Sequence, residues 1–127
     1  MFGDSLRGYS FATHQRDGFR CIYCGWDGST WPNWLYLCQD HLRPKAHPQR
    51  NDPAYIVTAC QFCNFACNRQ SFEGESPEEI VAAKKEAIER VRESYRDFWE
   101  ANVFSVPPSS RVALPPKRAS TPSRPSR

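Results

Sequence analysis

The sequence predicts a small α+β fold, and three observations carry that expectation. Two Cys-x-x-Cys pairs, Cys21 with Cys24 and Cys60 with Cys63, lie far apart in the chain. Two short runs of aromatic and β-branched residues, one ending at Asp40 and one leading into Cys60, read as strands. A stretch opening at Ser76 repeats apolar residues at helical spacing. At 127 residues the chain makes one small domain, and a core of that size often needs a metal or disulfides to hold it.

Taken in order, residues 1–13 lack periodicity and read as an irregular N-terminal arm. Asp17-Gly18 is a turn feeding the first cysteine pair, and Gly25 to Asn33 is a loop. Trp34 to Gln39 reads as a strand ending at Asp40. The loop Arg43 to Pro53 holds three prolines. Tyr55 to Thr58 reads as a second strand, and Cys63 to Ser71 as a helix. Ser76-Pro77-Glu78-Glu79 has Ser at the N-cap, Pro at the first helical position and Glu at the third, a capping box. The stripe Ile80, Ala83, Ala87, Val91, Tyr95, Phe98 and Asn102, widened by Ile88 and Trp99, predicts a helix over about 77–102. Its expected use is a brace for an undersized core, with a dimerisation or partner helix as the sharper reading. This brace closes a domain over 14–104. Residues 105–127, rich in Pro, Ser and Arg, read as a disordered tail.

The chain has six cysteines, yet its opening has no apolar signal segment and no stretch is long enough to span a membrane. The expectation is a cytoplasmic protein, without a membrane partner, whose thiolates hold metal rather than disulfides. Four thiolates in two Cys-x-x-Cys turns match a structural zinc with Cys21, Cys24, Cys60 and Cys63 as ligands. Cys67, four residues past Cys63, is a rival ligand; Cys38 reads as an inert buried thiol.

The net charge of +3 hides an asymmetry. Arg111, Lys117, Arg118, Arg124 and Arg127 put five positive charges on the tail, leaving 12 basic and 14 acidic side chains over residues 1–104. Attraction to nucleic acid must therefore come from a local patch, a bound cation or the tail.

Zinc explains the cysteines but not the Asp40-His41 pair between them or Asn64 directly after the last. A carboxylate, an imidazole and an amide gathered by a zinc clip are the residue set of a metal-dependent phosphodiesterase. Arg43, Lys45 and Arg69 are candidates for backbone phosphate contacts. His47 is either a loop histidine or a phosphate contact. Trp26, Trp31 and Trp34 either stack on bases or cover the zinc.

The runs Cys21-Ile22-Tyr23-Cys24-Gly25, Asp40-His41-Leu42-Arg43-Pro44 and Val57-Thr58-Ala59-Cys60-Gln61-Phe62-Cys63-Asn64 together resemble the zinc-stapled HNH endonucleases over residues 14 to 72. The resemblance implies a ββα-metal core. It also implies an endonuclease or nickase acting on DNA, with His41 as general base and Mg²⁺ or Mn²⁺ held by Asp40 and Asn64. Two positions depart from the family pattern. Tyr55 stands where the family places an asparagine, with Asn51 as a nearby substitute, and Cys67 stands where it often has a lysine. Asn68, one turn past Asn64, is a second candidate for the cation, and Arg69 for the missing positive charge. The competing reading is a catalytically inactive zinc-stapled module that binds nucleic acid or acts as an adaptor. Thiol redox chemistry is a weaker third. A specificity or packaging partner protein stays open under either of the first two.

Overall fold

The computed structural model of the protein describes residues 4–105 and residue 107. Its elements are helix α1 (Phe11–Arg16), strand β1 (Leu37–His41), strand β2 (Ile56–Cys60), helix α2 (Gln61–Ala66) and helix α3 (Pro77–Trp99). Short 3-10 turns at Asn33–Tyr36 and Pro53–Tyr55 lead into the two strands, and a π turn, Glu100–Phe104, follows α3. The architecture is mixed α and β, as expected. Of the tail expected over 105–127, all but Ser105 and Pro107 lies outside the described residues.

β1 and β2 pair antiparallel, with Asp40 opposite Val57 and His41 opposite Ile56. Every residue of β2 is buried, because α1, α2 and the first cysteine turn all pack against this hairpin. β1 starts later than the expected Trp34. The Trp34 and Leu35 amides turn back onto the Thr30 and Pro32 carbonyls at 2.9 and 3.0 Å, which closes a turn and delays extension until Leu37. β2 likewise runs from Ile56 rather than Tyr55 and reaches Cys60.

The expected irregular arm contains the start of α1, which is ordered by its contacts with β2. The Arg16 guanidinium donates to the carbonyls of Pro53 and Ile56 at 2.9 and 2.7 Å, and Asp17 accepts the Thr58 amide at 2.9 Å. His14, to which the sequence assigned no role, is buried with Nδ1 2.7 Å from the Thr58 hydroxyl. α2 is shorter than the expected Cys63–Ser71. It begins with the Cys60 sulfur capping the Cys63 amide at 3.4 Å and ends where Cys67 leaves helical geometry, at φ −129 and ψ 31.

The chain forms two compact units, divided between Ser94 and Tyr95. In the first, α3 begins with the predicted cap: the Ser76 hydroxyl accepts the Glu79 amide at 3.2 Å, while Glu79 accepts the Glu75 amide at 2.9 Å. Its buried face is Ile80, Lys84, Ala87 and Ile88. Ala83, expected in the stripe, is exposed, and a lysine takes a core position instead. In the second unit Tyr95, Phe98 and Trp99 are exposed, the Trp99 and Phe104 rings lie 5.1 Å apart, and Arg96 pairs with Glu100 at 3.3 Å.

Burial lowers the His14 imidazole below its ordinary value near 6.5, with the nearby Asp17 charge acting the other way. The fold therefore disfavours the imidazolium. Stability should be full above about pH 6.5 and fall as the pH drops from there toward the folded-state value. Thermal melts between pH 7.5 and 5 should show this loss, and His14→Asn should flatten it; an unchanged slope would rule out His14 as its source.

Candidate functional site

The first cysteine turn is built on local geometry. The Gly25 amide donates to the Cys21 carbonyl at 2.9 Å, and Gly25 adopts φ +78, a region that a side chain disfavours. The Cys21 amide reaches the Trp26 carbonyl at 3.0 Å and the Ile22 amide reaches Thr58 at 2.9 Å, which fastens this turn to β2. The second pair sits where β2 becomes α2. Together they place the sulfurs of Cys21, Cys24, Cys60 and Cys63 all within 4.8 Å of one another.

This group could hold a metal ion such as zinc. Tetrahedral ligands at about 2.3 Å lie roughly 3.8 Å apart, and the Cys24 and Cys60 sulfurs are separated by 3.8 Å. Thiols this close contend for protons: hydrogen bonds from Cys60 and Cys63 hold Cys21 far below the usual thiol range. In turn Cys60 is pushed up to about 11, and Cys63 is raised further. A divalent cation would remove that conflict by taking all four as thiolates. Cys67 is buried in the core, outside the four-sulfur group, and Cys38 is half-buried with its sulfur 3.9 Å from the Tyr36 carbonyl.

α3 contributes a group the sequence reading missed. Arg92 donates to the Cys63 sulfur at 3.1 Å and lies 4.6 Å from the centre of the Phe62 ring. Partial burial works against the guanidinium, yet the charges of Cys63 and Cys24 outweigh it and raise Arg92 above its ordinary value.

Beside the sulfur cluster lies a cavity of about 440 Å³. Asp40, His41, Asn64, Asn68, Arg43, Lys45 and Arg69 all line it, whereas His47 does not. Strand alternation gives Asp40 and His41 different surroundings: Asp40 is buried and His41 half-buried. Burial first, and the positive charge of Arg50 second, lower the His41 imidazole, while Asp40 acts in the opposite direction. The net effect favours the neutral imidazole at His41.

Asp40 is not a free carboxylate. The Lys84 ammonium lies 2.9 Å from Oδ1 and 2.8 Å from Oδ2, and the Tyr23 hydroxyl donates to Oδ2. Burial, followed by the Asp40 charge, pushes the Tyr23 phenol well above its ordinary range, so it stays a donor. Oδ1 keeps the larger share of its accepting capacity. It is the atom through which Asp40, with the amide oxygens of Asn64 and Asn68, could serve a hard cation.

Tyr55 is buried beneath the Arg43 guanidinium, 4.7 Å from its ring centre, and its carbonyl accepts the Leu42 amide at 2.8 Å. Arg43 also donates to Gln49 at 3.1 Å, and Arg50 to the Arg43 carbonyl at 3.0 Å. His47 accepts the Gln49 amide at 3.0 Å, a contact within its own loop. Asn51 is exposed and outside the cavity lining. Trp26 packs on the core, Trp34 is half-buried and Trp31 is exposed. Lys84 and Arg92 did leave a trace in the sequence: each stands four residues from Ile88 on the apolar side of the helix, where a charge calls for a buried partner.

No protein-family model, curated protein or solved structure matches this chain.

Replacing any one of Cys21, Cys24, Cys60 or Cys63 by Ser should remove one zinc per chain, measured by elemental analysis, and abolish cooperative unfolding. Arg92→Gln should leave the metal content intact but speed zinc loss to a chelator by about tenfold, since outer contacts tune metal sites on that scale.

Proposed function

We propose that this chain is a metal-dependent phosphodiester hydrolase of the HNH type, nicking or cleaving DNA with His41 as general base. The observation that carries this reading is the convergence of His41, Asn64 and Asn68 with Arg43, Lys45 and Arg69 on one cavity next to the four-cysteine group. His41, held neutral, takes the proton from an attacking water. The basic side chains at the rim seat the phosphates on either side of the scissile bond. Asp40, Asn64 and, one turn on, Asn68 are the oxygen donors for Mg²⁺ or Mn²⁺, and structural zinc is assigned to the four cysteines. When bound, the catalytic cation would supply positive charge to offset the negative charge that develops on the departing oxygen.

A second reading is favoured by the closed Asp40–Lys84–Tyr23 group: a zinc-stapled module that binds nucleic acid without cutting it. The basic rim serves such a module equally well.

Nicking of supercoiled plasmid separates the two. With Mg²⁺ or Mn²⁺ the wild type should nick and EDTA should stop it, while His41→Ala should lose about 10²–10⁴ in rate with zinc content unchanged. Asn64→Ala should raise the cation concentration needed, and a larger effect from Asn68→Ala would move the ligand one helical turn. DNA binding without nicking under any divalent cation would establish the second reading.

A further inference from the structure

Lys84 is the buried charge that this chemistry leaves unused. Its side chain is 6% exposed and that of Asp40 7%. The ammonium approaches both carboxylate oxygens almost equally, at 2.9 and 2.8 Å, which is where a cation chelated by Asp40 would sit. Both residues border the same cavity as His41 and Asn64, so an incoming ion can reach them. Among the described residues Asp40 is the one acid in that lining, against five Lys and Arg side chains. A divalent cation entering here has no other carboxylate to use and must take Asp40 from Lys84 or share it against charge repulsion.

We propose that Lys84 is the resident counter-ion of this site: its ammonium contends with a divalent cation for Asp40 and so sets the concentration at which the cation loads. The hydrolase reading supplies the identity of that cation, and the inference rests on it to that extent. The alternative role for Lys84, a purely structural pair with Asp40, makes a different prediction, because removing it would then weaken the site rather than open it. Tyr23 supports the first role. Its hydroxyl donates to Oδ2 from a different element than Lys84, a contact that would hold the orientation of Asp40 when the ammonium is withdrawn.

The test is Mn²⁺ binding to the zinc-loaded full chain, followed by the electron paramagnetic resonance signal of free Mn²⁺. Lys84→Met and Lys84→Gln should bind Mn²⁺ about tenfold more tightly than wild type or better, and Mn²⁺ should raise their melting temperatures more than that of wild type. Adding Asp40→Asn to Lys84→Met should abolish the gain. Affinity that is unchanged or weaker in both single variants, or a gain that survives Asp40→Asn, would overturn the proposal. If both variants are unfolded without metal, recovery of the folded state on Mn²⁺ titration supports it, and failure to recover at millimolar Mn²⁺ overturns it. Plasmid nicking is scored separately. A wild type that binds Mn²⁺ without nicking fails the hydrolase reading alone, and one that nicks while its Lys84 variants bind no tighter fails this inference alone.

Discussion

Four sulfur atoms within 4.8 Å of one another are the constraint on which the rest of the first unit depends. Cys21 and Cys24 lie on one turn, Cys60 closes β2, and Cys63 lies in the first turn of α2. Holding these sulfurs together fixes where α2 leaves the hairpin, and with it Asn64, the next residue after Cys63. Asp40 and His41 end the strand paired to β2, so the same clip sets how the amide of Asn64 stands toward them. A core with few large buried side chains could not impose that registry through packing alone.

Helix α3 answers the charge that this arrangement creates. A divalent ion held by the four thiolates would carry a formal −2, and Asp40 adds a further buried carboxylate. Lys84 and Arg92, eight residues apart and thus on one side of the helix, meet Asp40 and Cys63. Ile88 lies between them in the core. The helix is therefore an electrostatic counterpart to the hairpin as well as an apolar brace. A buried ion pair adds little net stability compared with apolar packing, but removing one partner costs about 3–5 kcal/mol. That asymmetry fixes helix rotation: turning α3 by one residue would swing Lys84 away by about 100° and strand Asp40.

The sequence carried the local features and lost the long-range ones. The cysteine spacing, the Ser76 cap and the order strand, strand, helix are encoded within a few residues of each other, and each is present. The strand starts shifted because 3-10 turns at Asn33 and Pro53 use backbone hydrogen bonds that residue type does not announce. α1 was misread because a six-residue helix has too little periodicity to register, and it is held by Arg16 and Asp17 reaching residues some forty positions away. The same limit hid the partners of Asp40. Tyr23 and Lys84 lie 17 and 44 residues from it, and only the fold brings them together. The residues that line the cavity were legible by type and spacing, while the pairing of Asp40 was not.

That state changes the character of the cavity. With Asp40 matched to Lys84, the lining is left with Arg43, Lys45, Arg50 and Arg69 and no further acid among the described residues. Residues 1–104 nevertheless carry more acidic than basic side chains, so the positive field is local and owes nothing to bulk charge. Arg43 and Arg50 are held in place by Gln49, Tyr55 and the Arg43 carbonyl, which lowers the entropy lost when they meet an anion. Arg50 at the same time helps to keep His41 unprotonated. One set of cations thus makes the cavity attractive to anions and favours the neutral imidazole at His41. An unpaired Asp40 would weaken both effects, drawing protons toward His41 and repelling phosphate, and the pairing with Lys84 removes that conflict.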